Sequence, residues 1–406
     1  MVGAARNGQI KFSIVITTYN RFSLLKRAID SALGQTVPCE VVVVDDCSSD
    51  DTEIYVRSLG DRIVYHRNSV NMGHSASINA GVEVATGDWI KPVDDDDYLA
   101  PNCIEQLTKA IALRPEAVIC SCQAAQVDVN QVEIRRTIKT GPGQVFYIPQ
   151  EDIHYGMLME QIPFGTPIQV GFRRDAFLKS GGWDSQLDVN FDDIDSWIRI
   201  SQFGDAIFIN ECLAYRTVWP GSYNQNFCVQ KRLNTHISIK NKIYNLVSEK
   251  YLPNTPSREA IRDYLKLHWG LVAAKNKQFL LCLKLAFPAV LSTAGWKLLG
   301  TAILTRKFDG LFLPNHTDDS VWTMTKLYPL VSEKQSDLQP KFNHIRAYLQ
   351  LHKSWLACKE GKILKTIRLA FPSAFSIQAW QILLTEILSE KVKSNKPLIR
   401  QIVLRD

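Results

Sequence analysis

The sequence predicts an α/β fold in which helices flank a central sheet, followed by an α-helical C-terminal region. Two observations carry that expectation. In the first half, short β-branched apolar runs alternate with segments of helical periodicity, the pattern of a parallel sheet covered on both faces. In the second half a 41-residue segment recurs, and both copies read as helices.

The runs FSIVITT (Phe12–Thr18) and EVVVVD (Glu40–Asp45) are nearly unbroken apolar stretches, as buried strands are. Between them Leu24, Leu25, Ala28, Ile29, Ala32 and Leu33 recur at helical spacing and stop at Gly34. A second helix is expected after Asp50, then the strand RIVYH, a helix from about Gly73 to Thr86, and the strand WIKPV. After Pro101 a further helix is expected, with Asn102 as its N-cap. Open sheets of this kind bind ligands beyond the carboxyl ends of their strands. Asp45 and Asp46 end one strand there, and Asp94–Asp97 end another.

Composition narrows the class. Apolar content of 46% and charged content of 22% suit a globular chain with real cores, and 406 residues allow two or three domains. The start MVGAARNGQIKF lacks the apolar stretch of a secretory signal, so an intracellular place is expected. The nine cysteines are scattered from Cys39 to Cys358 and suggest no disulfide framework. Cys120 and Cys122 read as buried reduced thiols rather than a metal pair. The net charge of +6 hides an asymmetry. Residues 1–235 hold 21 Lys+Arg against 29 Asp+Glu, whereas residues 236–406 hold 26 against 12. One half needs carboxylates, and the other meets something anionic.

Domains are therefore expected at 1–235 and 236–406, with the Pro-rich stretch Leu252–Arg258 as linker into the helices. Residues 264–304 align without gaps to 348–388, with 17 of 41 positions identical, including Tyr264/Tyr348, His268/His352 and Trp296/Trp380. Each copy reads as a helix, a tight turn, a second helix, a Pro break and a third helix. No segment reaches the 18 or so uncharged apolar residues of a membrane span; FLLCLKLAFPAVL is cut by Lys284 and Pro288. Lys and Arg beside large apolar residues and a tryptophan suit an interfacial helix on an anionic membrane. A helical bundle with an aromatic core and solvated lysines is the alternative. No interleaved stacking pattern indicates nucleic acid.

Four consecutive aspartates repel one another unless a cation or hydrogen-bond donors neutralise them. On a loop, Asp94 and Asp96 can face one pocket, and hard oxygen ligands favour Mg²⁺ or Mn²⁺ completed by substrate phosphates. A solvated acidic loop is the alternative. His66, His74 and His154 stand isolated and read as structural. Neither a dinucleotide fingerprint nor a P-loop is present.

The ordered set SIVITTYNR, VVVVDDCSSDDT, NMGHSASINAG, ATGDWIKPVDDDDYLAP and GGWDSQLDVNFDDIDSWIRI resembles family 2 of the inverting glycosyltransferases, over about residues 12–225. The resemblance implies the GT-A fold, a Rossmann-like mixed sheet flanked by helices. It implies that Thr17, Tyr19 and Arg21 line the nucleotide pocket, that Asp45 meets the base and that Asp46 supports the loop. Asp94 would lie near the ribose and metal, Asp96 would ligate metal and diphosphate, and Asp95 would support them on the donor side. Asn79 would also serve the donor, although Ile78 stands where the family often has Arg. Asp193 would be the general base, with Asp192 in the family's Glu position and Asp195 following. These acids could instead simply cap a helix. Gly181 and Gly182 would form the tight turn before them, and Gly182 and Trp183 would border the acceptor. A core role for Trp183 is the alternative. Tyr215 and Arg216 lack the His that often follows in the family, leaving Ser222 to reach a phosphate.

The chemistry explains those residue types. A leaving nucleoside diphosphate gathers charge on its β-phosphate, which a divalent cation held by carboxylates stabilises. An attacking hydroxyl needs a base. The expected activity is an inverting sugar transfer, dependent on Mn²⁺ or Mg²⁺, from a nucleotide-sugar donor, with UDP-sugars first. The acceptor would be a glycan or lipid-linked hydroxyl in cell-surface polysaccharide or lipid-linked glycan synthesis. The expected location is cytoplasmic, or peripheral on the inner face of the cell membrane, with no nucleic-acid partner. Two other classes compete. A nucleotidyltransferase would show a Gly-rich basic loop where TTYNR stands. A degenerate transferase serving as a scaffold for its helices would have lost the acids.

Overall fold

In a computed structural model of the chain, the described residues are 10–137, 139, 143–187, 191–219, 228–304 and 328–329. Strand β1 (Phe12–Thr18) is buried along its whole length. It lies between β2 (Glu40–Asp45) and β4 (Trp89–Asp94), parallel to both, and β3 (Val64–Arg67) extends the sheet beyond β2. Parallel strands need crossovers, supplied here by helices α1 (Phe22–Leu33), α2 (Thr52–Ser58) and α3 (His74–Val84). The apolar face of α1, with Leu25, Ala28, Ile29 and Ala32, is buried, and the helix ends at Gly34 as expected. Helix α3 sits directly on the sheet: a Cβ at Gly81 would run into Val15 and Val44.

The rest of the sheet is mixed. Strands β6 (Ala117–Val127) and β10 (Asp205–Thr217) run parallel, and β9 (Val170–Arg173) joins β6 to β4 with antiparallel pairing on both sides. Strand β8 (Val145–Ile148) lies antiparallel to β10, with the two-residue β11 (Tyr328–Pro329) beyond it. Short strands β5 (Tyr98–Leu99) and β7 (Glu133–Arg136) add to β10 and β6. The order is β11-β8-β10-β6-β9-β4-β1-β2-β3. Helices α4 (Cys103–Leu113), α5 (Gln150–Leu158), α6 (Arg174–Ser180) and α7 (Asp192–Ile200) accompany this half. The α/β architecture with a mixed, helix-flanked sheet is the one the resemblance implies. The parallel sheet expected from the apolar runs holds for β1–β4 and for β6 with β10, whereas β8 and β9 pair antiparallel.

One local expectation is corrected. Asn102 occupies the N-cap of α4 but does not cap it; its amide donates to Glu211 at 3.1 Å. The first-turn N–H of Ile104 is taken instead by Gln35, at 2.9 Å. Cys120 and Cys122 are buried and unbridged, as expected of reduced thiols.

The boundary expected at 235/236 falls inside helix α8 (Val229–Tyr244), and the first compact unit runs from Met1 to Leu298 with Leu327–Leu330. The reason is polar anchoring. Lys240 of α8 is buried and donates to the carbonyls of Met157 and Leu158 at 3.1 and 2.8 Å, and Lys242 pairs with Asp195 of α7 at 2.6 Å. The expected linker starts within a short 3₁₀ helix, Glu249–Asn254, whose Tyr251 hydroxyl donates to Asp152 at 2.5 Å, and it ends at the first residue of a further helix at Arg258. Within the first repeat copy the expected pattern holds: α9 (Arg258–Lys275), a turn with Lys277 at φ 60°, α10 (Phe279–Ala286), a break at Pro288, and α11 (Thr293–Leu304). The second copy, 348–388, lies outside the described residues. Among the described residues no single helix is long and apolar enough to cross a membrane.

Candidate active site

The carboxyl ends of β1, β2 and β4 open into a cavity of about 630 Å³, closed on the other side by the start of α7 and the end of β10. Thr17, Tyr19 and Arg21, which follow β1, line one part of it. Asp94–Asp97 form its floor as one tight turn, closed by the Asp97 N–H donating to the Asp94 carbonyl at 3.0 Å.

That turn sends its four side chains to different partners. Asp95 is buried, accepting from the Thr18 hydroxyl at 2.8 Å and from Arg21 at 2.9 Å. One oxygen of Asp96 accepts the Trp219 indole N–H at 2.9 Å, and one of Asp97 accepts the Thr217 backbone N–H at 2.8 Å. Arg27 ties the turn to β10 through the Asp96 carbonyl and the Thr217 hydroxyl, both at 2.6 Å. Oxygens of Asp94, Asp96 and Asp97 lie within 4.8 Å of one another, a group able to hold a metal ion. Burial pushes the Asp95 carboxyl up to about 6 despite Arg21. Burial, then Asp96 and Asp94, hold Asp97 well above the usual range, and burial with Asp94 raises Asp96.

Asp94 behaves differently because of His74, the first residue of α3. The His74 Nε2 lies 3.0 Å from Asp94, and its Nδ1 lies 3.6 Å from Asp192 on α7. Burial opposes charge on this imidazole, but the two carboxylates outweigh it and hold its pKa well above the ordinary value. His74 in turn draws Asp94 below the usual carboxylate range against the effect of burial. The expectation that His74 is isolated is therefore overturned. Its two partners lie on β4 and α7, far from it and from each other in sequence, so no local spacing signals the bridge. His154, by contrast, is buried against the Ile198 carbonyl at 3.0 Å, as a structural histidine would be.

Asp192 and Asp193 open α7 and both line the cavity. Burial, then the Asp192 charge, push Asp193 up to about 7. Asp195 faces away, buried between Arg199 at 2.8 Å and Lys242 at 2.6 Å. Phe191, just before these acids, lines the cavity at φ 67°, a left-handed conformation uncommon for a bulky residue. Its ring lies 5.2 Å from His236 of α8. Arg216 also lines the cavity, and Tyr215 beside it stacks on Tyr98 at 4.6 Å. Arg232 of α8 lines the cavity as well; neither it nor Phe191 was singled out from the sequence, which gives no sign that α8 reaches the cavity. Ser222 lies outside the described residues.

Asp45, Asn79, Gly182 and Trp183 sit behind the cavity wall. Asp45 is fully buried, accepting from Tyr65 at 2.8 Å, Arg67 at 2.6 Å and the Ser48 N–H at 2.8 Å. Its expected contact with a nucleotide base would require exchanging these bonds. Asp46 does line the cavity and gathers the loop before α3, accepting from the Met72 and Gly73 N–H groups at 2.8 and 2.9 Å. Asn79 clasps Trp183: its amide donates to the Trp183 carbonyl at 2.9 Å and accepts the Trp183 N–H at 2.8 Å. Gly182 turns at φ 71°, where a Cβ would come within 2.7 Å of the Asn79 oxygen. Trp183 itself is 2% exposed, with its ring 5.3 Å from His74 and 5.9 Å from Trp197. It packs as a core residue behind His74.

Comparison with known proteins points to the same family. The family model described as Glycosyl transferase family 2 matches residues 13–181. A glucosyl-dolichyl phosphate glucuronosyltransferase of Haloferax volcanii is 30% identical over 43% of this chain and 56% of its own length. An uncharacterized glycosyltransferase of Haemophilus influenzae is 30% identical over 50% of this chain and 67% of its own. The succinoglycan biosynthesis protein ExoO of Rhizobium meliloti is 32% identical over 34% of this chain and 39% of its own. The chain thus spans little more than half of the first relative's length.

Proposed function

Since the chain belongs to glycosyl transferase family 2, we propose that it moves a sugar, with inversion, from a nucleotide-sugar donor to an acceptor hydroxyl, with Asp193 as general base. The observation that carries this reading is the meeting, in one cavity, of the Asp94–Asp97 turn and the acids of α7, bridged by His74. The nucleotide would lie along Thr17, Tyr19 and Arg21. Asp94 and Asp96 would hold Mn²⁺ or Mg²⁺, with Asp97 close enough to join them. The fit is supported by three carboxylates drawn together at 4.8 Å or less, with Asp96 and Asp97 kept above their ordinary pKa by burial and by neighbouring carboxylates. When bound, such an ion supplies positive charge toward the diphosphate as it leaves.

Asp193 takes the acceptor's proton as its oxygen attacks the anomeric carbon, while the carbon–phosphate oxygen bond breaks and the nucleoside diphosphate departs. A pKa of about 7 suits that task, since a general base works best near the operating pH. Arg21 and Arg216 add fixed positive charge around the diphosphate. Asp192, with Gly182 and Trp183 behind it, belongs to the acceptor side. UDP-sugars are the first donors to test. A glycan or lipid-linked acceptor in polysaccharide synthesis is supported by the names of the Haloferax and Rhizobium relatives.

The test is Asp193→Asn. Transfer should fall by about 10²–10⁴-fold while Mn²⁺-dependent binding of the nucleoside diphosphate is kept. Equal loss of both would remove Asp193 from the role of base.

A further inference from the structure

Helices α10 and α11 carry an apolar surface that lies open. One side of α10 packs on α9: Leu285 is buried, and a Cβ at Gly270 would come within 2.9 Å of Ala286. The other side presents Phe279, Leu280, Leu283 and Phe287, each between 64% and 85% exposed. Past the break at Pro288, Leu291 is 93% exposed and Trp296 46% exposed, its indole N–H held by the Val290 carbonyl at 2.8 Å. A helix reading FLLCLKLA is apolar on nearly all sides, which belongs in a core or against lipid. Scattered exposed leucines need no explanation, but a contiguous patch marks a contact surface.

Charge identifies the contact. Lys275, Lys277, Lys284 and Lys297 surround the patch and are exposed, and no Asp or Glu occurs between Asp263 and Asp309. We propose that this face docks on an anionic lipid surface, with Phe279, Leu280, Leu283, Phe287 and Leu291 entering the acyl boundary and the lysines meeting lipid phosphates. Large apolar residues, a tryptophan at the rim and flanking lysines form the combination that lies in a membrane interface. A second copy of the chain fits less well, because a self-complementary contact would set these lysines against their own counterparts. The segment 348–388 has the same sign, with Lys353, Lys359, Lys362, Lys365 and Arg368 against Glu360 and Glu386. It repeats the LAFP and tryptophan pattern, and stable surface anchoring takes two signals. The inference goes beyond sugar transfer, since lipid binding is read without donor or acceptor.

The experiment is flotation of the full chain with phosphatidylglycerol–phosphatidylcholine vesicles and with phosphatidylcholine alone. Binding is expected only with the anionic vesicles, weakening by about tenfold or more from low to high salt. The variant Leu280→Ser/Phe287→Ser/Leu291→Ser should lose binding by about tenfold or more while keeping the parent's thermal midpoint. Lys277→Glu/Lys284→Glu, with no apolar residue changed, should also weaken binding and keeps the idea testable if the first variant misfolds. No association with anionic vesicles at low salt would overturn it, as would equal binding to neutral vesicles or unchanged binding by both variants. Self-association abolished by the serine variant, without vesicle binding, would assign the face to a second copy instead.

Discussion

At the scale of single residues, Asp193 makes the sharpest prediction. Its carboxyl is raised to about 7, so the basic form is scarce below that pH. The rate of transfer, followed as kcat/KM, should rise about tenfold per pH unit up to about 7 and then level off. A profile flat from pH 5 to 8 would contradict the assignment. Gly182 makes a structural one. At φ 71° and against Asn79, Gly182→Ala should cost more than about 1 kcal/mol, read from the midpoint of denaturant unfolding. The same residues mark what the sequence could tell. Asp94 and Asp96 were readable as an acidic run at the end of a strand, and Asp193 through the resemblance of the segment that opens α7. The His74 bridge and the Asn79 clasp depend on how separate elements dock, which no periodicity records.

At the scale of elements, the Asp94–Asp97 turn is built against its own charge. A carboxyl raised in the folded chain binds a proton that the unfolded chain has released, so stability falls as pH rises through that window. For Asp95 the window runs from the ordinary value of 3.8 to about 6, and Asp96 and Asp97 shift in the same direction. Asp94 shifts the other way and is already charged there. A cation relieves the repulsion, so the rise in thermal midpoint on adding Mn²⁺ should be larger at pH 7 than at pH 5. Scanning calorimetry at both values checks this, and equal rises would contradict it. The strands leading to the turn were legible because parallel strands buried on both faces read as unbroken apolar runs. Strand β9 was not: it is four residues long, and its partners lie in β4 and β6.

At the scale of the whole molecule, the acidic and basic parts of the sequence do not divide where the charge changes. Helix α8 crosses that point, and Lys240 satisfies two carbonyls at the end of α5 from inside the fold. Removing a partner from such a buried group costs about 1–3 kcal/mol. A fragment ending at residue 235 would lose Lys240, Lys242 and Tyr251 together. It should melt well below the full chain or fail to stay soluble, as thermal unfolding followed by circular dichroism would reveal. The sequence marked this boundary by composition, which records where charge accumulates and not which side chains are buried.

The clasp between Asn79 and Trp183 joins residues 104 apart in the chain. Contacts of such long range wait until the entropy of closing the intervening loop has been met by other structure. Helix α3, packed on its strands, holds Asn79 where the turn at Gly182 meets it. The tie from Arg27 to Thr217 spans 190 residues, so the walls of the cavity are held in register by contacts that each close a long loop.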